Sequence, residues 1–533
     1  MNTEINEVIT SALPLAPILT PLGLGVLLLL PMRRQWRVAL ALASALLTLT
    51  FALLLMNATV GGVLVSELGG WKAPYGIVIA ADRLGAFMST LSAICGVFTV
   101  WLMAAQPDPV REEYHSFALT SFLFGGVQLS FLTGDLFNLF VAFEVMLVAS
   151  YALAVLGSTR EQLREGFRYI VMNLSASALL VVACGLAYGT LGTLNFAHLA
   201  QRSAALGPNT TVTAVGVLLL IVFAAKGALF PLGFWLPGTY PAVPHATGAF
   251  FAAVLTKVGL YALIRVFTTV FNQDPQLPNT LLLVLGAVTM LYGALGALSQ
   301  REWRRILSFT VVGSVGYLAF GLGLDSPDAL RASLAYLAVS VIVTLAMFLI
   351  AAVAERASGT RLVRARGFIE FLPLLAACFL LCALTVAGLP PSAGFVAKFD
   401  LIRAGLEGGT GLAYLATASA LISSLITLYA LLRVWSGFFW GRHPRDEPVR
   451  RLSWPERLPA YLASALVVAL ALFAGPLLGY ARATADDLQS TRYVVGVMGD
   501  QPLDLPARPK GDEVQEKDDA PNTENIQKPQ DSP

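Results

Sequence analysis

The stretch "AAKGALFPLGFWLPG" (224–238) places one lysine, Lys226, inside an otherwise apolar run. The segment before it, "TAVGVLLLIVFAA" (213–225), carries no charge and almost no polar side chain. An unpaired ammonium buried in hydrocarbon costs about 2.5–3.5 kcal/mol even on a lenient scale. Pro231 and the Leu236–Pro237 pair follow the lysine, and proline interrupts a helix because it lacks the backbone donor. The stretch therefore predicts a broken membrane helix in which the lysine has a function.

The overall composition is that of a protein that crosses a membrane many times. Of the 533 residues, 56% are hydrophobic and 13% are charged, and the mean hydropathy is +0.70, whereas soluble domains carry about 25% charged residues. Apolar stretches of roughly 18–25 residues recur along most of the chain, and each can span a bilayer. We therefore predict an all-α polytopic membrane protein with about fourteen transmembrane helices. The net charge of +2 gives no reason to expect nucleic acid as a partner.

Two segments depart from this apolar pattern. The segment "VGGVLVSELGGWKAPYGIVIAADRLG" (60–85) alternates β-branched residues with Gly-Gly and proline, which predicts a β-hairpin outside the cytoplasm. The C-terminal segment "KGDEVQEKDDAPNTENIQKPQDSP" (510–533) is too polar to bury a core. We expect the chain beyond about residue 483 to be disordered.

The 35 lysines and arginines are distributed unevenly over the predicted loops. The loops on the side that the chain reaches after its first span hold 20 of them, and the opposite loops hold 5. Cytoplasmic loops of membrane proteins are enriched in lysine and arginine. We therefore expect the basic loops to be cytoplasmic and, because the number of spans is even, both termini to lie outside.

Four ionisable side chains lie near the middle of predicted spans: Glu144, Lys226, Lys257 and Lys398. The alternatives to a functional role are a side chain that reaches the interface and a structural ion pair. The first alternative suits Arg265, near the end of its span, but Glu144 and Lys257 lie about ten residues, roughly 15 Å, from either end. Burial favours the neutral form of such groups, and a nearby opposite charge favours the charged form. Without a metal-ligand cluster or cofactor motif, this pattern predicts a proton relay that uses neither metal nor cofactor.

A second span is also interrupted. The stretch "AGLPPSAGFVAK" (387–398) contains Leu389–Pro390 and Pro391 before Lys398, whereas Lys226 precedes its own break. These are the seventh and twelfth spans, which cross the membrane in opposite directions. An ordinary proline kink explains one break, but the mirrored pair indicates an inverted-topology repeat with discontinuous helices. We predict the breaks within residues 231–237 and 388–394.

Together these stretches resemble a known family. The segments "FLTGDLFNLFVAFEVMLVASYAL" (131–153), "VLTKVGLYALIR" (254–265) and "GLPPSAGFVAKF" (388–399) are similar to the antiporter-like subunits shared by Mrp cation/proton antiporters and respiratory complex I. The first of them, with "YGTLGTLN" (188–195), resembles the D-type subunits of Mrp antiporters most closely. The resemblance implies fourteen core helices, with helices four to eight and nine to thirteen as two inverted five-helix repeats. It also implies a multi-subunit complex in a bacterial cell membrane.

The resemblance assigns roles to the four charged residues at mid-depth. Glu144 and Lys226 match the family's glutamate–lysine pair on the fifth and seventh helices. Lys257 matches the central lysine of the eighth helix. Lys398 matches the lysine of the twelfth helix, near the far exit of the proton path.

Three further residues are secondary candidates. Ser314 in the tenth helix stands where relatives often have histidine or glutamine, so water would have to bridge a proton path through this helix. His245 lies twelve residues before Lys257, and a capping or packing role competes with a place in the relay. Asp135 begins its helix, which favours an N-cap over a proton carrier.

The predicted organisation has five parts. They are three N-terminal helices with the β-hairpin (1–110), the first antiporter repeat (111–270), the second, inverted repeat (271–440), the last membrane helix (441–483) and a disordered tail (484–533).

These observations predict the proton-translocating subunit of a multi-subunit Na⁺/H⁺ antiporter, which is a transporter subunit and not an enzyme. Protons would pass Lys226 and Glu144, then Lys257, and exchange with the other side near Lys398, or run the reverse route. Their flow would drive the extrusion of a monovalent cation. The expected partners are the other antiporter subunits, protons, monovalent cations such as Na⁺, and membrane lipid.

Other functions fit the sequence less well. The closest alternative is a proton-pumping subunit of a complex I-type NADH/quinone oxidoreductase, which has the same machinery but takes its energy from redox centres in other subunits. A single-chain transporter would need a substrate cavity with binding groups, and no set of residues resembles a Na⁺ cage of carboxylates and carbonyls. A purely structural protein would not keep four charges at mid-depth.

Overall fold

The computed structural model of the protein describes residues 11–364, 366–443 and 449–499. Within this part of the chain, eleven helices are long and apolar enough to cross a membrane, and three shorter apolar helices accompany them. The described residues form one small sheet, of two strands. The all-α polytopic fold class is therefore confirmed, and the number of apolar helices agrees with the predicted fourteen.

We number the apolar helices in chain order and mark the halves of the broken helices a and b. The helices are α1 (Leu13–Leu27), α2 (Arg34–Ala58), α3 (Arg83–Ala105), α4 (Ser116–Leu132), α5 (Leu136–Val155), α6 (Arg160–Leu191), α7a (Thr210–Gly227), α7b (Leu236–Ala242), α8 (His245–Val270), α9 (Gln276–Ser299), α10 (Trp303–Gly323), α11 (Pro327–Ser358), α12a (Pro373–Ala387), α12b (Ala393–Glu407), α13 (Gly411–Phe439) and α14 (Trp454–Leu472). Two more helices follow them, α15 (Ala474–Gln489) and α16 (Arg492–Met498). Short helices lie in two connections, at Pro109–Glu113 and Phe196–Leu206.

Short polar residues begin several of these helices because their side chains accept hydrogen bonds from the free backbone donors of the first turn. Asp135 accepts a hydrogen bond of 2.8 Å from the backbone N–H of Asn138 and so caps α5, as predicted. Thr159 and Gln162 form a reciprocal capping box at the start of α6. Ser326 caps α11. Each cap fixes where the chain re-enters the helical bundle.

The predicted β-hairpin is present. Strands β1 (Leu64–Glu67) and β2 (Val78–Ala81) pair in antiparallel fashion, with Leu64 opposite Ala81. Between the strands, Gly69 and Gly70 adopt φ angles of +69° and +75°, a left-handed conformation that glycine reaches without steric cost. The hairpin is therefore confirmed, while its place outside the cytoplasm stays a prediction.

Helices α8 and α11 form the centre of the bundle. All of the most apolar window of each helix is buried inside the protein, whereas only 33% of the corresponding window is buried in α2 and in α14. A helix that is apolar on every face has to be surrounded by other protein or by lipid. Because α8 is surrounded by protein, Lys257 on this helix does not face the hydrocarbon.

Both predicted helix breaks are present. Helix α7a ends at Gly227 and α7b begins at Leu236, and α12a ends at Ala387 and α12b begins at Ala393. The first break begins earlier than the predicted residue 231, because Ala228 adopts a left-handed φ of 63° and ends the helix before the proline. The inverted symmetry of the two repeats stays a prediction.

The C-terminal boundary differs from the prediction. The segment 484–498, which we expected to be disordered, is occupied by the end of α15 and by α16. Asp487 on α15 pairs with Arg83 at 3.0 Å and with Arg492 at 2.9 Å, so ion pairs that composition does not reveal hold this segment. The predicted disorder of residues 500–533 lies outside the described residues.

Arg265 does not reach the membrane interface but forms a buried ion pair. Its Nη2 donates a hydrogen bond of 2.6 Å to Asp82 Oδ1, and the two side chains are 1% and 7% exposed. The guanidinium also lies 4.5 Å from the ring centroid of Tyr493 on α16. Of the two structural alternatives for Arg265, the structure shows the ion pair, and this pair joins α8 to the N-terminus of α3.

We expect Asp82→Asn to destabilise the protein, because it leaves the Arg265 guanidinium buried without its partner. Breaking one side of a buried pair typically costs about 3–5 kcal/mol. Asparagine can still cap α3, where Asp82 accepts a hydrogen bond from Gly85 N, so the substitution isolates the charge. The double variant Asp82→Asn/Arg265→Gln should recover most of the thermal stability of the purified complex. Equal stability of the single and double variants would contradict this account.

Candidate functional site

Three buried lysines define the candidate site. Lys226, Lys257 and Lys398 are 4%, 0% and 4% exposed. Lys226 lies in the last turn of α7a, Lys257 follows a π-helical turn in α8, and Lys398 lies in α12b after the second break. Regular α-helical hydrogen bonding is interrupted at each of these places, and interrupted helices leave backbone carbonyls without intrahelical donors.

The ammonium of Lys226 has neutral polar and aromatic neighbours. Its Nζ donates a hydrogen bond of 2.9 Å to Ser177 Oγ on α6 and lies 4.5 Å from the ring centroid of Phe143 on α5. The last turn of a helix carries partial negative charge, which favours a cation there. The Nε1 of Trp235 donates to the carbonyl of Ala225 and so satisfies one backbone group that the break exposes.

Glu144 lies near Lys226 but does not bond to it. Glu144 follows Phe143 on α5, and it is the carboxylate that acts electrostatically on the lysine. Its Oε1 is buried and has no hydrogen-bond partner among the described residues, and the lysine donates to Ser177 instead. The structure therefore brings the predicted pair together without a direct contact.

Lys257 lies in the centre of the bundle, and no carboxylate of the described residues forms an ion pair with it. Its Nζ is 3.5 Å from the carbonyl oxygen of Ala252, in the π-helical turn Phe251–Leu255. The buried thiol of Cys95 on α3 is a titratable neighbour of this lysine. A π-helical turn widens the helix and disturbs its ladder of hydrogen bonds, which gives the ammonium a backbone acceptor inside its own helix.

Gly259 lets the backbones of α7a and α8 touch between Lys226 and Lys257. A Cβ atom added at Gly259 would lie 2.6 Å from the backbone nitrogen of Gly227 and 2.9 Å from the carbonyl carbon of Lys226. Real Cβ atoms do not approach other atoms so closely. The absence of a side chain at Gly259 is therefore what sets the distance between the first two lysines.

Lys398 reaches back to the end of the preceding half-helix. Its Nζ donates hydrogen bonds of 2.9 Å to the carbonyl of Val386, in the last turn of α12a, and of 3.0 Å to Ser424 Oγ on α13. The ring centroid of Tyr317 on α10 is 4.1 Å away. A Cβ atom added at Gly388 would lie 2.6 Å from Lys398 Cδ, so this glycine leaves room for the lysine stem.

His245 belongs to an ion cluster rather than to a helix cap. Its Nε2 is 3.1 Å from Glu355 Oε2, and Arg304 Nε is 3.2 Å from the same oxygen. Arg304 also donates to the carbonyl of Val243 at 2.6 Å. His245 makes no capping hydrogen bond at the start of α8. The structure thus shows a contact with Glu355 and no helix cap, and a place for His245 in the relay, twelve residues before Lys257, stays a prediction.

The candidate in the tenth helix makes only a local contact. The hydroxyl of Ser314 donates a hydrogen bond of 2.7 Å to the carbonyl of Val311 in its own helix. This satisfies the hydroxyl without any of the three lysines. Within the described part of the chain, no group of three or more His, Cys, Asp or Glu side chains is placed to hold a metal ion.

A cavity lined by both charged and apolar side chains opens at the end of the bundle that carries the basic loops. Its volume is about 290 Å³, which is room for several water molecules. Charged side chains from several helices and loops line it, among them Asp108, Arg111, Glu112, His245 and Arg304. The cavity therefore lies beside the N-terminal end of α8, the helix that carries Lys257.

The contacts of the lysines include residues that the sequence analysis did not single out. Ser177, Ser424 and Tyr317 supply the hydroxyl groups and the ring face that surround Lys226 and Lys398. Serine and tyrosine are common in membrane helices, so their identity alone carries little signal. A usable signal for Tyr317 is its position, three residues and roughly one helical turn after Ser314.

The fold and the buried lysines define a polytopic membrane protein with charged groups enclosed at mid-depth. A family described as "NADH:quinone oxidoreductase/Mrp antiporter, TM" matches residues 133–427. The D-type subunit of the Na⁺/H⁺ antiporter of Alkalihalophilus pseudofirmus is 39% identical over 491 residues, which cover 91% of this chain and 99% of that protein. The chain therefore belongs to this family of antiporter-like membrane subunits, as its motifs indicate.

Solved structures agree with this assignment. A chain in the structure of the Mrp complex from Dietzia sp. superposes with a TM-score of 0.85 and 30% identity, covering 92% of this chain and 100% of that chain. A chain of respiratory complex I from Thermus thermophilus superposes with a TM-score of 0.77 and 25% identity, covering 90% of this chain and 100% of that chain. The resemblance to both kinds of complex is thus confirmed for the fold.

We expect Gly259→Ala to impair the protein severely, because the added methyl group would collide with the backbone of α7a between Lys226 and Lys257. Cation-dependent proton transport, normalised to the amount of complex, should fall at least tenfold. The matched control is Gly313→Ala, also inside a membrane helix, where nothing lies within 4 Å of the added Cβ. Normal transport by the Gly259→Ala variant would show that the close approach of α7a and α8 is dispensable.

Proposed function

We propose that this chain is the proton-translocating subunit of a multi-subunit monovalent cation/proton antiporter. Protons move through a relay of Glu144, Lys226, Lys257 and Lys398, and their flow drives the extrusion of cations such as Na⁺. One observation carries the proposal: three lysines are enclosed at helix interruptions in a chain whose relative of 39% identity is named as a subunit of a Na⁺/H⁺ antiporter. In this role the chain is a transporter subunit and not an enzyme.

The first step of the relay uses the changing distance between Glu144 and Lys226. When the carboxylate approaches, its charge holds the proton on the lysine, because a close opposite charge favours the charged form. When the carboxylate moves away or is neutralised, burial favours the neutral lysine and the proton leaves towards Lys257. The unpartnered Glu144 Oε1 and the hydrogen bond from Lys226 to Ser177 support the separated state.

The second part of the relay connects Lys226 with Lys257 and Lys398. The contact of Gly227 with Gly259 keeps the first two lysines on neighbouring backbones. Since Ser314 bonds only within its own helix, water carries the proton between Lys257 and the Lys398 region. The cavity of about 290 Å³ supplies solvent access at the end with the basic loops, where His245 lies.

The proposal also covers the orientation of the subunit in the membrane and its partners. The basic loops face the cytoplasm of a bacterial cell, and both termini lie outside the cell membrane. The partners are the other antiporter subunits, and apolar faces such as that of α6, where Leu174 and Val182 are exposed, contact these subunits or lipid.

A second candidate function is that of a proton-pumping subunit in a complex I-type oxidoreductase. The structural similarity to a chain of respiratory complex I favours it. The two functions differ in their energy source, so purification of the native complex through a tag on this chain separates them. An antiporter complex shows no visible absorbance from iron–sulfur centres, whereas a redox-driven complex does.

We expect Lys257→Ala to abolish cation-dependent proton transport while the complex still assembles, because the central proton carrier is lost. Lys257→Arg should not restore transport, since arginine keeps its charge but does not release its proton. Lys398→Ala should fail in the same way. The measurement is the Na⁺-dependent change of ΔpH in everted vesicles from an antiporter-deficient host that contains the whole complex.

Lys72→Ala is the matched control, because this lysine is exposed in the β-hairpin and should be dispensable. Transport by the Lys257→Arg variant at near the wild-type rate would overturn the relay.

The pair of Glu144 and Lys226 allows a separate test. We expect Glu144→Gln and Lys226→Ala each to lower transport more than tenfold, since either change stops the switch between the two states. The double variant should be little worse than either single variant, because residues that act as one unit are not additive. Two mild single effects that simply add in the double variant would assign the pair a structural role.

A further inference from the structure

The ammonium of Lys398 touches a chain of hydroxyl groups. Ser424 Oγ lies 3.0 Å from Lys398 Nζ and 2.7 Å from the hydroxyl oxygen of Tyr317. The Tyr317 hydroxyl lies 2.9 Å from Ser423 Oγ and 2.5 Å from the carbonyl oxygen of Ala420. Every link is within hydrogen-bond distance. A continuous path of hydrogen bonds therefore leads from the lysine on α12b to α10 and α13.

The direction of these hydrogen bonds follows from the donors available. An ammonium donates and cannot accept, so Ser424 Oγ accepts from Lys398. The Ser424 hydroxyl is then free to donate to Tyr317, and Tyr317 donates to the carbonyl of Ala420 or, after rotation, to Ser423. If the lysine is neutral, the chain can reverse, because a hydroxyl both donates and accepts. Hydroxyl groups thus bond Lys398 in both of its protonation states, which a carbonyl or a carboxylate alone does not.

Tyr317 provides the titratable side chain near Lys398 that the tenth helix lacks at Ser314. Ser314 bonds to its own helix, whereas Tyr317, roughly one turn further along α10, turns its hydroxyl and its ring towards the lysine region. Tyr317 is 3% exposed, and its ring centroid is 4.1 Å from Lys398 Nζ. An aromatic face stabilises a cation at this distance. The ring of Tyr317 therefore stabilises the charged lysine, and its hydroxyl oxygen forms part of the hydrogen-bonded chain.

We propose that Ser424, Tyr317 and Ser423 form a hydroxyl relay that passes protons to and from Lys398, with Tyr317 in the place expected for Ser314. This rests on the proposed function of Lys398 as a proton carrier. A proton leaves Lys398 Nζ for Ser424 Oγ, and the proton of Ser424 moves to Tyr317. The proton of Tyr317 moves to Ser423, and the proton that Ser423 donates to the carbonyl of Ala420 leaves that bond for a water molecule that enters beside it. Each hydroxyl gains and loses one proton, and the lysine is left neutral.

A neighbouring tyrosine provides a matched control. Tyr336 on α11 also faces Lys398, at 5.9 Å from its ring centroid to the ammonium, and its ring packs against that of Tyr317 at 5.3 Å. Its hydroxyl makes no hydrogen bond with any described residue. Replacement of either tyrosine by phenylalanine keeps the ring and removes one oxygen. The two variants therefore differ in whether the lost oxygen belongs to the hydroxyl relay.

The experiment compares Tyr317→Phe with Tyr336→Phe in everted vesicles that contain the whole complex. We expect Tyr317→Phe to lower Na⁺-dependent proton transport at least tenfold at unchanged complex content, and Tyr336→Phe to stay within twofold of the wild type. Equal activity of the two variants would overturn the relay. Lys398→Ala, measured in parallel, distinguishes a failure of the proposed role of Lys398 from a failure of the hydroxyl relay alone. If it transports normally, the proposed role of Lys398 fails, and if it is inactive while Tyr317→Phe is normal, only the hydroxyl relay fails.

Ser424 gives a second test with a rescue. Ser424→Ala should lower transport to a similar extent as Tyr317→Phe, and Ser424→Thr, which keeps the hydroxyl, should restore at least half of it. Ser419→Ala on the same helix is the control, because its hydroxyl bonds only to the carbonyl of Leu415. Loss of transport in Ser424→Thr as large as in Ser424→Ala would mean that packing, and not proton transfer, explains the residue.

Discussion

Away from water-filled cavities, a charged or polar group inside a membrane has no water to bond, so the protein itself has to provide its partners. In this chain, Lys226 and Lys398 both lie at helix breaks, where the last turn of a half-helix supplies partial negative charge or a free carbonyl. Lys257 uses the carbonyl of a π-helical turn in the same way. The irregular parts of the backbone are therefore what makes the buried charges tolerable, and the regular helices keep lipid away from them.

The nearest acceptors of the three buried lysines are uncharged groups. None of the three ammonium groups is locked in a close ion pair with a carboxylate among the described residues, and each has a hydroxyl or a carbonyl as its nearest acceptor. By contrast, two buried arginines, Arg265 and Arg304, are held by buried carboxylates. In the proposed relay, the weakly held lysines carry the protons and these strongly held arginines stabilise the fold, in line with the different chemistry of the two side chains.

The features that the sequence predicted are those marked by a pattern of residues close together along the chain. Composition and apolar run length predicted the number of membrane helices, the proline pairs predicted the two breaks, and Gly-Gly predicted the β-hairpin. Contacts between distant segments, such as those of Ser177 and Tyr317 with lysines on other helices, were not predicted from the sequence. Nor was α16, whose order depends on ion pairs of Asp487 with partners elsewhere in the chain. Such contacts leave no pattern along the chain, because serine and aspartate serve many purposes.

The attachment of the C-terminal helices to the N-terminal part of the protein has a consequence for biosynthesis. Asp487 pairs with Arg83, the hydroxyl of Tyr480 donates to the carbonyl of Arg83, and Arg492 donates to the carbonyl of Val60. These contacts join residues that the ribosome makes some 400 positions apart. While the chain is still being inserted into the membrane, the start of α3 lacks these contacts with the C-terminal helices. This end of the molecule closes only when translation is almost complete, so an interrupted chain lacks the carboxylate partner of Arg83.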